Sequence, residues 1–119
     1  MDLKVYGIVF SKNLELLAGI SGSVHSGETF LSAMERKGLT AVDTTLEWNQ
    51  CATVFGEKGR RGKPSFEMAV FYSVLPTEAS QTVKPQAEKT VWSPLLYSVF
   101  KDLAMLHISG CAADTTIQL

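Results

Sequence analysis

Apolar and polar positions alternate from the first residues. Over residues 3–10, Leu3, Val5 and Val9 share one parity and Tyr6, Ile8 and Phe10 the other. Apolar side chains on both parities predict a strand covered on both faces. Ser11, Lys12 and Asn13 make a polar turn, with Asn13 suited to a left-handed conformation, and residues 14–20 read as the return strand of a hairpin. A Gly/Ser loop follows at 21–27, and the period then changes. Phe30, Leu31 and Met34 share a helical face within residues 28–37. Glu28 suits the positive first turn of that helix, Arg36 and Lys37 suit its negative last turn, and Gly38 is placed to end it.

Alternation returns at 40–55, where Val42, Leu46 and Trp48 oppose Asp43, Thr45, Glu47 and Asn49. Cys51 and Phe55 break the parity, so a β-bulge is expected near Asn49 or Gln50. Residues 65–75 read as a strand that pairs with this one across the loop 56–64. Residues 76–90 form a polar connection containing Pro76 and Pro85. Ser93-Pro94 is a helix start, with Ser at the N-cap and Pro at the first helical position. Leu95, Leu96, Val99, Phe100, Leu103 and Leu106 form its apolar stripe, Gly110 its stop, and residues 111–119 alternate as a final strand. The order β-β-α-β-β-α-β predicts one α+β domain over residues 1–119, with a mostly antiparallel sheet and two helices packed on one face.

Composition narrows the classes. The 119 residues are 45% hydrophobic and 19% charged, with a net charge of −1, which argues against disorder and against a strong global pull toward polyanions. No apolar run reaches the roughly 20 residues of a membrane span. Asp2 and Lys4 within the first alternating stretch do not read as a cleaved signal peptide, so a cytoplasmic setting, or assembly in a virion, is expected. Cys51 and Cys111 are too few for a disulfide framework and read as two free, buried thiols. No His, Cys or carboxylate cluster has metal-ligand spacing, so neither a metal nor another cofactor is expected, and no catalytic residue stands out.

Two segments carry candidate chemistry. Gly22, Ser23, His25, Ser26 and Gly27 lie in a string, G-x-x-x-x-G-x-T, that has the glycine spacing of a phosphate-binding loop. Glu28 stands where that loop needs Lys, and a carboxylate repels phosphate, which leaves a weaker anion or small-ligand site. The second segment holds Lys58, Arg60, Arg61 and Lys63. Residues 57–63 carry four of the eleven basic residues and one acid, a local charge of +3, while the remainder carries seven bases and eleven acids, −4. Gly56, Gly59 and Gly62 suggest a flexible tip able to meet nucleic acid or an acidic protein surface, although a solvated turn explains the same charges. A Cys–His pair built from Cys51 or Cys111 with His25 or His107 would need tertiary proximity.

The apolar surplus completes the picture. Two strands are apolar on both faces and only two short helices are available to cover them, so Trp92, Tyr97, Met105 and Ile108 become candidate interface residues of an oligomer, the alternative being a barrel-like monomer that closes on itself. The expectation is then a non-enzymatic homo-oligomer, a viral or phage structural or accessory protein whose basic loop touches nucleic acid or a neighbouring subunit. The alternatives are a small-ligand or anion-binding domain using residues 21–27, catalysis included, and a small nucleic-acid-binding module.

Overall fold

Two hairpin units organise the chain. In this computed structural model, which describes residues 2–42, 45–76, 94–111 and 114–119, β1 (Asp2–Phe10) pairs antiparallel with β2 (Leu16–Ser23). β3 (Asn49–Phe55) pairs antiparallel with β4 (Phe66–Val74). The units join along β1 and β4, which run parallel from Asp2↔Phe66 to Phe10↔Val74. β5 (Thr115–Gln118) lies parallel to β3 and completes a five-stranded sheet of order β2-β1-β4-β3-β5. With α1 (Phe30–Val42) and α2 (Pro94–Ile108), the described elements follow the expected α+β order. Both hairpins are antiparallel as their turns predict, and the sheet is mixed because the longer connections, which carry the helices, bring in parallel partners. The expected bulge is present, as a register shift between Gln50 and Ala52.

The helices lie on opposite faces, which corrects the expectation that both cover one. Ala33, Met34 and Val42 of α1 pack with Val5, Val9, Ala18, Ile20, Ala69 and Phe71. Phe100 and Ala104 of α2 pack with Tyr6, Ile8, Phe10, Ala52, Val54, Met68 and Val70. The two parities of β1 and β4 therefore each meet a helix. Apolar residues on both faces of a strand call for a cover on each side, and here each central strand has one.

The segment 40–48 is the main departure from the periodicity. Residues 40–42 close α1, and 45–48 form no strand, yet Leu46 and Trp48 are buried. An extended connector lying on a core carries the same alternation as a strand, so the pattern alone does not separate them. Gly38 does not end α1. A Cβ on Gly38 would stand 2.7 Å from the Trp48 ring, and one on Gly7 would stand 2.7 Å from both that ring and the Met34 methyl. Both glycines are the floor on which the indole rests, and the helix continues beneath it. At the first turn it is Leu14, not Asn13, that adopts the left-handed conformation, at φ 64°.

The end of α2 is as expected. Gly110 takes φ +77°, its N–H donates to the His107 carbonyl at 3.1 Å, and the Cys111 N–H donates to the Leu106 carbonyl at 3.0 Å. These two bonds satisfy the last carbonyls of the helix in a Schellman arrangement. The buried face differs from the expected stripe, since Val99 and Leu106 are exposed while Leu103, Met105 and Ile108 pack toward the sheet.

Candidate functional site

The Gly/Ser segment is organised by one carboxylate. Thr29 and Ser32 cap α1 reciprocally: the Ser32 N–H donates to Thr29 Oγ1 at 3.0 Å, and the Thr29 N–H donates to Ser32 Oγ at 2.9 Å. Glu28 therefore stands just outside the helix. Its carboxylate accepts from Arg36 Nε at 2.8 Å, from Arg36 Nη2 at 3.0 Å and from the His25 backbone N–H at 2.8 Å. Arg36 Nη2 also donates to the Ser23 carbonyl at 2.9 Å, and the Lys37 stem lies over Gly22. His25, Ser26 and Gly27 are exposed. The His25 N–H that a bound anion would need is taken by Glu28. The residue that departs from the phosphate-loop pattern thus accepts one of the loop's own N–H groups, and through Arg36 it ties residues 23–28 to α1.

The Arg36 guanidinium, with the His25 N–H second, holds the Glu28 carboxyl at about 2 against an ordinary 4.5. A folded value below the unfolded one means that the pair's stabilisation is complete above about pH 4.5, declines as pH falls, and is gone near 2. Glu28→Gln is therefore expected to lower the urea midpoint at about pH 6 and to match the parent protein near pH 2. Equal midpoints at both pH values would show that the tether contributes nothing.

Beside this tether lies a cleft of about 210 Å³ lined by Glu35, Arg36, Leu39, Thr45 and Leu46. One turn of α1 supplies the first three and the connector before β3 the last two. Leu39 and Leu46 give it apolar walls, Thr45 a hydroxyl, and Arg36 a guanidinium. Both hydrogen bonds that Arg36 makes to Glu28 use Nε and Nη2, and Nη1 makes none among the described residues. The cleft was not legible in the sequence, because its residues come from a helix face and from a segment that reads as a strand.

The remaining candidates are dispersed. Lys58, Arg60, Arg61 and Lys63 sit exposed on the tip joining β3 to β4, and they do not join the Arg36 cleft. Met105 and Ile108 are half-buried against the α2-side core, while Trp92 and the side chain of Tyr97 lie outside the described residues. Cys51 is buried and Cys111 is exposed, which corrects the expectation of two buried thiols. Burial first, and the charge of Asp114 second, push the Cys51 thiol up to about 12, so it is a thiol and not a nucleophilic thiolate. It donates to the Val70 carbonyl at 3.6 Å. The histidine bond that sequence reasoning missed is His107 Nδ1 with the Tyr72 hydroxyl, at 2.6 Å. Among the described residues, no three His, Cys, Asp or Glu side chains gather to hold a metal ion. No helix among them is long and apolar enough to cross a membrane.

No family model matches the sequence, and no curated protein matches it either. Solved structures do. A mutT/nudix family protein from Listeria innocua superimposes with a TM-score of 0.54 at 16% identity, over 92% of this chain and 91% of that one. DR0079 from Deinococcus radiodurans gives a TM-score of 0.46 at 19% identity, over 62% of this chain, which spans 54% of that one. The first likeness is one of fold, and it extends over nearly the whole of both chains. It overturns the reading as a viral or phage structural or assembly protein. That reading leans on the apolar surplus, and in this fold a helix packs on each face of the central strands.

Proposed function

We propose that this domain binds a small ligand with an apolar body and an acceptor group, held in the cleft between α1 and the connector before β3. The carrying observation is the cleft itself, lined by Leu39 and Leu46 for an apolar group and by Arg36, Glu35 and Thr45 for polar ones, with Arg36 Nη1 making no hydrogen bond among the described residues. Its volume of about 210 Å³ falls below the roughly 300–1,000 Å³ of drug-sized sites, so the ligand is small. The fold likeness to a mutT/nudix family protein supports a ligand-binding domain over an assembly module. The Glu28 tether supports the same reading, because it fixes the guanidinium before any ligand arrives, which lowers the ordering cost of binding. The two free thiols favour a reducing compartment.

Benzamide is a suitable probe, with a ring for the leucines and a neutral carbonyl oxygen to accept from the guanidinium. Titration followed by amide chemical shifts is expected to move residues 35–39 and 45–46, with saturation at millimolar concentration. Leu39 is 53% exposed, so Leu39→Glu leaves the core intact and places a negative charge at the mouth. That variant is expected to abolish the response. Shifts that do not saturate, or that persist in Leu39→Glu, would remove the cleft as the site.

A further inference from the structure

A second surface stands apart from the cleft. The chain between β3 and β4 is not the flexible loop that its glycines suggest. The ladder continues past the strands through the Gly56 N–H to the Phe66 carbonyl at 2.9 Å, the Ser65 N–H to the Glu57 carbonyl at 2.9 Å, and a Lys58–Pro64 bridge. The Gly59 N–H then donates to the Lys63 carbonyl at 2.8 Å, and the Gly62 N–H to the Gly59 carbonyl at 3.0 Å. Gly62 turns the chain at φ +74°. The result is a two-stranded ribbon that projects beyond the sheet with Arg60 and Arg61 at its apex.

The four cations of this ribbon are exposed, and none forms a salt bridge among the described residues. Two more cations share this end of the sheet. Lys4 Nζ lies 4.9 Å from the centre of the Phe66 ring, and the Lys37 stem crosses Gly22 near the end of β2. Among the described residues the acids here are Asp2, Glu57 and Glu67, together with Glu28, which is already neutralised by Arg36. Positive charge therefore dominates one end of a molecule whose remainder is acidic.

We infer that the β3–β4 tip is a cationic finger that binds the sugar-phosphate backbone of duplex DNA without reading its sequence. Residues 57–63 contain no apolar side chain, so the finger lacks the desolvated centre on which a protein interface depends. The paired arginines instead present planar forks that match phosphate oxygens. With no aromatic residue between 57 and 63, the finger has no stacking platform for single-stranded bases. Duplex DNA offers the higher density of charge and a major groove wide enough for a two-stranded ribbon. The acidic remainder of the chain is repelled, so contact is confined to the finger.

The test is fluorescence anisotropy of a labelled 20-base-pair DNA with the full chain, from about 50 to 200 mM salt. Four phosphate contacts predict a slope of log affinity on log salt near −3.6, a loss of roughly 150-fold across that range. Arg60→Ala/Arg61→Ala is expected to weaken binding and to reduce the slope by about 2, with an unchanged circular dichroism spectrum. Lys58→Ala/Lys63→Ala should do the same independently. The inference fails if the duplex does not bind at 50 mM salt, or if neither double variant changes the slope. It also fails if single-stranded DNA binds as tightly as the duplex. Equal binding of poly-glutamate would overturn it in favour of an acidic protein partner. The benzamide response belongs to a separate surface and is expected to survive both double variants.

Discussion

Trp48→Ala is expected to lower folding stability by about 3–5 kcal/mol, read from the urea midpoint at constant slope. The indole is 8% exposed and lies in the cluster beneath α1. Two of the backbone positions under it are glycines, Gly7 and Gly38, so part of the void left by its removal has no neighbouring side chains that can relax into it. Cost rises with the volume that cannot collapse, which places this site toward the upper part of that range. The same geometry inverts the usual effect of replacing a helical glycine. Alanine is ordinarily favoured over glycine inside a helix, but a Cβ on Gly38 meets the ring at 2.7 Å. A loss below about 1 kcal/mol for Trp48→Ala would mean that the ring is not a packing element.

Phe100→Ala is the second large effect, again about 3–5 kcal/mol, and its signature is local. Phe100 is fully buried, with its ring centroid 5.9 Å from that of Tyr6. Among the α2 side chains that the structure describes, the other fully buried one is Ala104, which contributes little area. Truncating the ring removes the largest buried side chain among them, beside the Tyr72–His107 bond and the half-buried Leu103, Met105 and Ile108. Hydrogen exchange is expected to show α2 amides opening well below the global unfolding energy while α1 amides keep their protection. Equal loss in both helices would show that α2 does not open as a separate unit.

Local signals recovered the elements, and tertiary contacts decided the rest. The doubly apolar β1 and β4, the bulge in β3, the Pro94 start and the Gly110 stop were all legible, since each depends on residues within a few positions. Gly38 misled because a glycine beside a ring and a glycine ending a helix are the same letter, and only Trp48, ten positions on, separates the cases. The partition of helices between the faces was hidden for a related reason. Apolar residues on both parities imply two covers without saying which helix supplies which. At the site, the charge pattern places Arg36 at the helix terminus, whereas α1 runs on to Val42 and Arg36 lies within it, bonded to Glu28. The cleft depends on residues 45–46 lying outside any strand, which no periodicity shows.

The parallel seam between β1 and β4 joins distant parts of the chain. Each hairpin pairs strands that follow one another, whereas the seam brings Asp2 to Phe66 across β2, α1 and β3. Such distant pairings are reached slowly. Until they form, both hairpins present an unpaired edge lined with valine, isoleucine and phenylalanine, the kind of edge that recruits strands from other chains. Newly made copies of this chain are therefore most vulnerable to clumping in the interval before the two halves meet, and dilution or a holding chaperone during that interval should raise the yield of folded protein.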